Sequence, residues 1–116
     1  MTILYGIKNC DTVKKARQWL DKQQIDYRFH DFRSDGLSAS QVSHWIATIG
    51  LDTLVNKRST TWKELDQAAK DGFNEHTAVA LIVAHPTLIK RPLLETGNSA
   101  QVGFKADSWQ ALLIKP

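Results

Sequence analysis

The chain has 116 residues, enough for one domain that buries its own apolar core without disulfide staples. Its single cysteine excludes an internal disulfide, which fits a reducing compartment, and its composition excludes disordered and fibrous classes. A formal charge of +3, with the basic residues scattered, lacks the clustered basic face of a nucleic-acid binder. The longest apolar run, residues 78–84, is too short to cross a bilayer, and no signal peptide is expected from the N-terminus. The expectation is a soluble, cytoplasmic protein.

An apolar and aromatic run over residues 2–6 predicts the first strand. Lys8, Asn9, Cys10, Asp11 and Thr12 form a polar stretch, and a helix follows from Val13 with Asp11 or Thr12 as its cap. Its apolar stripe is Val13, Ala16 and Leu20, while Lys14, Lys15 and Asp21 lie opposite, as in a helix covering a sheet. A second strand is predicted over residues 26–31, where Tyr27 and Phe29 alternate with Arg28 and His30. Strand, helix and strand in close succession are the signature of a right-handed crossover between parallel strands.

Beyond Ser34, Asp35 and Gly36 the pattern becomes helical. Ser38 and Gln41 form a capping box, with Leu37 and Val42 as a hydrophobic staple, and Gly50 stops that helix. A short helical turn is expected over residues 51–55. Thr61 and Glu64 read as a second capping box, opening a helix that runs towards Gly72. Asn74 caps a third helix that ends before His85 and Pro86. Residues 77–83 fit a buried strand equally well by periodicity; the cap and the alanines favour helix. The tail predicts a strand over 92–95, a turn at Thr96, Gly97 and Asn98, a strand over 101–104, and a closing helix from Ala106 or Asp107. That helix buries Trp109, Leu112 and Leu113.

This order, β-α-β, a helical block, then β-β-α, is an α/β thioredoxin-like fold with a helical insertion. The expected organisation is one domain over 1–116, with halves at 1–34 and 87–116 and the insertion at 35–86.

Three places could carry chemistry. Cys10 sits where a strand hands over to a helix, and the unpaired amides and dipole there favour an anion. A thiol so placed, near Lys8, Lys14 and Lys15, is expected to lose its proton readily. The alternative is a small buried hydrophobe, the usual state of a free cysteine. No second cysteine forms a C-x-x-C pair, because Val13 stands there, so a redox reaction must borrow an external thiol. Glutathione is the natural candidate.

The second place is Arg91 and Pro92 at the start of a strand. In a thioredoxin-like fold that proline is cis and lies beside the nucleophile, which would bring Arg91 near Cys10 to hold an anion bidentately. Without the fold argument, Lys90 and Arg91 are a surface pair before an edge strand. The third place is the stretch from Asn56 to Trp62, either an anion site led by Arg58 or a loop whose Thr61 merely caps. The histidines show no metal-ligand spacing, and no metal is assigned. The four tryptophans fall on helices and read as core or half-buried packing residues.

Tyr5 to Thr12, Lys14, Lys15 and Ala16, Asn56, Lys57 and Arg58, and Ile89 to Pro92 together resemble the arsenate reductase-like family over nearly the whole chain. The nearest branch resembles the YffB group, beside the Spx-type transcription regulators. The resemblance implies a nucleophilic cysteine at Cys10. Glutaredoxin-dependent arsenate reductases serve that cysteine with three arginines: one matches Arg91, one falls on Asn56 with Arg58 two residues on, and the third falls at Phe104 and Lys105. Two anion contacts are thus altered or displaced, which implies weak arsenate binding.

The YffB-like branch implies a glutathione-dependent thiol/disulfide reductase. Cys10 is then catalytic, and Lys8, Asn9, Lys14, Arg58, Arg91 and Pro92 bind substrate or glutathione. Glutathione serves as co-substrate, with no tightly bound cofactor. Expected partners are a small or protein thiol or disulfide and glutaredoxin, with no nucleic acid or membrane, and the chain is expected to be a monomer. The alternatives are an Spx-like regulator docking on RNA polymerase, many of which carry the C-x-x-C switch absent here, and a weak glutaredoxin-coupled arsenate reductase.

Overall fold

The computed structural model describes residues 1–97 and 99–114. Strand β1 (Thr2–Gly6) leads into helix α1 (Asp11–Lys22) and strand β2 (Arg28–Asp31). Strands β1 and β2 pair in parallel, a geometry that requires a crossover, which α1 supplies. After a helical segment, strand β3 (Leu93–Thr96) pairs antiparallel with β1, strand β4 (Ser99–Val102) pairs antiparallel with β3, and helix α7 (Ala106–Leu113) closes the chain. The sheet order is β2-β1-β3-β4. This mixed α/β arrangement is the thioredoxin-like fold. No helix among the described residues is long and apolar enough to cross a membrane.

Contacts divide the chain into one unit of residues 1–31 and 91–116 and another of residues 32–90. In the first, Leu4 and Leu94 present one sheet face to Ala16 and Leu20 of α1 and Trp109 of α7. All five side chains are fully buried, and apolar burial on this scale is the main stabilising term of the unit. Leu112 and Leu113 are half-buried at its margin.

Gly6 sets how closely α1 approaches the sheet. A Cβ on Gly6 would stand 2.7 Å from Val13 Cγ2 and 3.3 Å from Cγ1. Val13 is fully buried and, being β-branched in a helix, has essentially one χ1 rotamer to offer. Gly6→Ala is therefore expected to cost about 1–3 kcal/mol by overpacking. Urea denaturation of Gly6→Ala, Val13→Ala and the double variant checks this. The double variant should be more stable than the sum of the singles predicts, and simple additivity would contradict the clash.

In the second unit, helices α2 (Ala39–Ile49), α3 (Leu51–Leu54), α4 (Thr60–Glu64), α5 (Gln67–Asp71) and α6 (Glu75–Ala84) precede a 3-10 turn at Pro86–Leu88. The Ser38–Gln41 capping box forms as expected, with Gln41 N–H donating to Ser38 Oγ at 3.2 Å and Ser38 N–H donating to Gln41 Oε1 at 3.1 Å. Asn74 caps α6 through a reciprocal box with Thr77, and residues 77–83 are helical. Helix α2 packs against α3 and α6, and Trp45 meets Phe32 edge-on at 6.3 Å.

Several expected boundaries are corrected. Thr61 does not cap: Ser59 Oγ accepts the Trp62 N–H at 3.1 Å, so α4 starts earlier, and the Thr61 hydroxyl bonds Thr87 instead. The helix towards Gly72 is two helices, because Leu65 is extended and Asp66 caps afresh, accepting Ala69 N–H at 2.7 Å. Strand β2 begins at Arg28 rather than 26, where pairing with Ile3 begins. The last two strands sit at 93–96 and 99–102, where the register pairs Leu93 with Val102 and Thr96 with Ser99. Asn98, which the expected turn includes, lies outside the described residues.

Candidate active site

β1 ends at Gly6, and the chain turns through Lys8 and Asn9, both exposed, before α1 begins at Asp11. Cys10 is itself the N-cap, with extended backbone at φ −93° and ψ 124°. The expected caps Asp11 and Thr12 are corrected: both lie inside the helix, because the Cys10 carbonyl already accepts the Lys14 N–H at 3.0 Å. At this helix start no side-chain cap bond forms among the described residues. Amides of a first helical turn lack backbone partners and carry the positive end of the dipole. The half-buried Cys10 thiol, in no disulfide, stands at that end, with Lys14 exposed on the first turns of α1.

Two hydrogen bonds shape the turn before it. Cys10 N–H donates to the Ile7 carbonyl at 3.3 Å, and Lys8 N–H donates to Asp31 Oδ2 at 3.2 Å. Asp31 ends β2 opposite Gly6 and is the one buried charged side chain among the described residues. Sequence reasoning takes it only as the end of a strand. A signal was present, since aspartate is depleted in strands and costly to bury without partners.

Arg91 and Pro92 lie just before β3. The antiparallel register Tyr5↔Leu93 puts the end of β1 beside the start of β3, so the Cys10 turn and Arg91–Pro92 occupy one end of the sheet. The Arg91–Pro92 peptide is cis. Pro92 is buried and its carbonyl accepts the Gly103 N–H at 2.8 Å; Arg91 is half-buried. Gly103 has φ +85°, a conformation that glycine adopts without strain.

Arg58 belongs to the other unit. It is exposed in the turn after Val55, where its N–H donates to Asn56 Oδ1 at 3.0 Å. In the same stretch the Lys57 ammonium lies 5.3 Å from the Trp62 ring, whose edge meets Phe73 at 5.0 Å. The structure therefore brings Lys8, Asn9, Cys10, Lys14, Arg91 and Pro92 into one unit and leaves Arg58 in another.

The fold recurs in known proteins. Residues 5–112 match the ArsC family. An uncharacterized protein of Haemophilus influenzae is 45% identical over 111 residues, spanning 96% of this chain and 97% of its own length. The solved structure of the YFFB protein is 44% identical with a TM-score of 0.94, covering 97% of this chain and 99% of that one. The global transcriptional regulator Spx of Streptococcus pyogenes is 26% identical over 117 aligned positions, 99% of this chain and 87% of the regulator. With the Cys10 turn, Arg91–Pro92 and the insertion between them all inside the matched span, the chain belongs to the ArsC, arsenate reductase-like family.

Proposed function

We propose that the chain is a glutathione-dependent thiol/disulfide reductase with Cys10 as its nucleophile. The observation that carries this reading is a lone, half-buried thiol at the N-cap of α1, at the sheet end where Arg91 and Pro92 stand. The Cys10 thiolate attacks the glutathione sulfur of a glutathionylated substrate. The substrate's S–S bond breaks, the substrate leaves as a thiolate, and Cys10 holds glutathione as a mixed disulfide. A second glutathione thiolate attacks the glutathione sulfur of that disulfide, forming oxidised glutathione and returning the Cys10 thiolate. The disulfide bond is thereby passed from substrate to glutathione: the substrate sulfur ends as a thiolate, and the sulfur of the incoming glutathione is the one oxidised.

Arg91 pairs with a glutathione carboxylate, Lys8 and Lys14 add positive charge, and the backbone at Asn9 and Pro92 meets the ligand's peptide groups. Incubating reduced protein with oxidised glutathione should add one glutathionyl group, on Cys10, that reduced glutathione removes. Arg91→Ala should lower kcat/KM for a glutathionylated peptide about tenfold or more, mostly through KM, as a lost charge-assisted bond does. Absence of the Cys10 adduct would overturn the reading.

A second reading, a regulator that docks on RNA polymerase, is favoured by the similarity to Spx along 99% of the chain. Co-purification with polymerase, undiminished in Cys10→Ser, would support it in place of the first.

A further inference from the structure

We infer that Asp31 is a positioning residue for Cys10, acting through the main chain of Lys8. The inference rests on the reading of Cys10 as the nucleophile. Asp31 is only 6% exposed, and a carboxylate buried that far is costly unless hydrogen bonds satisfy it. The pairing Gly6↔Asp31 sets it beside the last residue of β1, where the chain leaves the sheet towards Cys10. There Oδ2 accepts the N–H of Lys8, two residues before the cysteine. The Lys8 side chain is exposed, so this bond fixes the backbone and not the ammonium.

At the other end of the turn, the Cys10 N–H closes back onto the Ile7 carbonyl. The segment from Ile7 to Cys10 is thus held at both ends, by Asp31 from the neighbouring strand and by its own backbone. Remove the carboxylate, and the Lys8 amide loses its acceptor while the turn gains conformers. The sulfur then spends less time at the first turn of α1. Positional errors of about 1 Å at a reacting atom cost on the order of a hundredfold in rate, so a loosened turn is enough to matter.

The experiment uses the full chain, with iodoacetamide as the probe of Cys10 and amide hydrogen exchange as the probe of Lys8. Asp31→Ala should slow alkylation about three- to tenfold and speed Lys8 exchange about tenfold or more. Asp31→Asn keeps a side-chain carbonyl that can accept the amide, so it should restore both to within about twofold of the native chain. Leu112→Ala, destabilising the same unit from its margin, should move neither. Lys8→Pro deletes the donor instead, and should slow alkylation relative to Lys8→Ala; it decides the matter if Asp31→Ala does not fold. Unchanged Lys8 exchange in Asp31→Ala, or native alkylation in Lys8→Pro, overturns the positioning role. Neither readout involves turnover, so each can fail while Cys10 remains essential for reduction, and the reverse.

Discussion

Cys10→Ser is expected to separate stability from activity, raising the first while abolishing the second. Reduction of a glutathionylated substrate should fall by on the order of a thousandfold or more, about 4 kcal/mol of barrier. A hydroxyl cannot form the mixed disulfide on which the proposed turnover depends. The same residue is the N-cap of α1, and its thiol makes no cap bond. Serine is among the preferred N-caps, because its oxygen accepts an amide of the first turn. The variant should therefore gain about 0.5–1 kcal/mol, read as a higher urea midpoint at unchanged slope. A chain that keeps a weak capper at a helix start gives up stability at that spot, the pattern expected where a site is selected for chemistry. Undiminished turnover in Cys10→Ser would sink the catalytic reading. A fall in stability would show that the sulfur packs more than it reacts.

The features legible from sequence are those decided within a few residues. Ser38 with Gln41, Asn74 ahead of α6 and the stripe of Val13, Ala16 and Leu20 depend only on local spacing, and each appears as expected. Ser59 and Thr61 show where that reach ends. Both are hydroxyl residues in range of a helix start, and the choice falls to Ser59 while Thr61 bonds Thr87, twenty-six residues away. Asp66 interrupts a plausible long helix because a cap side chain competes with helix continuation, a balance that spacing alone does not weigh. The site divides in the same way. A lone cysteine at a strand-to-helix junction is a local pattern, and so is Arg91 before Pro92. Asp31 acquires its partner only through the register of β1 with β2, which no stretch of sequence displays. Likewise, nothing in the order of residues tells that Arg58 and Cys10 fall in different units.

Trp109→Ala is expected to have the largest effect on stability, about 3–5 kcal/mol. The indole is fully buried among Leu4, Ala16, Leu20 and Leu94, and it meets Phe104 at 4.8 Å and Trp19 at 6.1 Å in edge-to-face contacts. Truncation removes the centre of this cluster and leaves a cavity between α7 and the sheet. Its Nε1–H, however, is buried with no hydrogen-bond partner among the described residues. An unpaired buried donor costs about 1–3 kcal/mol, so the tryptophan carries a penalty that its packing must offset. Trp109→Phe keeps an aromatic ring against Phe104 and Trp19 and deletes the donor. It should be at least about 2 kcal/mol more stable than Trp109→Ala, with the void from the smaller ring partly balanced by the lost penalty. Denaturant titrations of the two variants measure this difference, and iodoacetamide reactivity of Cys10 should be native in Trp109→Phe. If phenylalanine proves as damaging as alanine, the indole nitrogen contributes a bond, and the core of the Cys10-bearing unit depends on it.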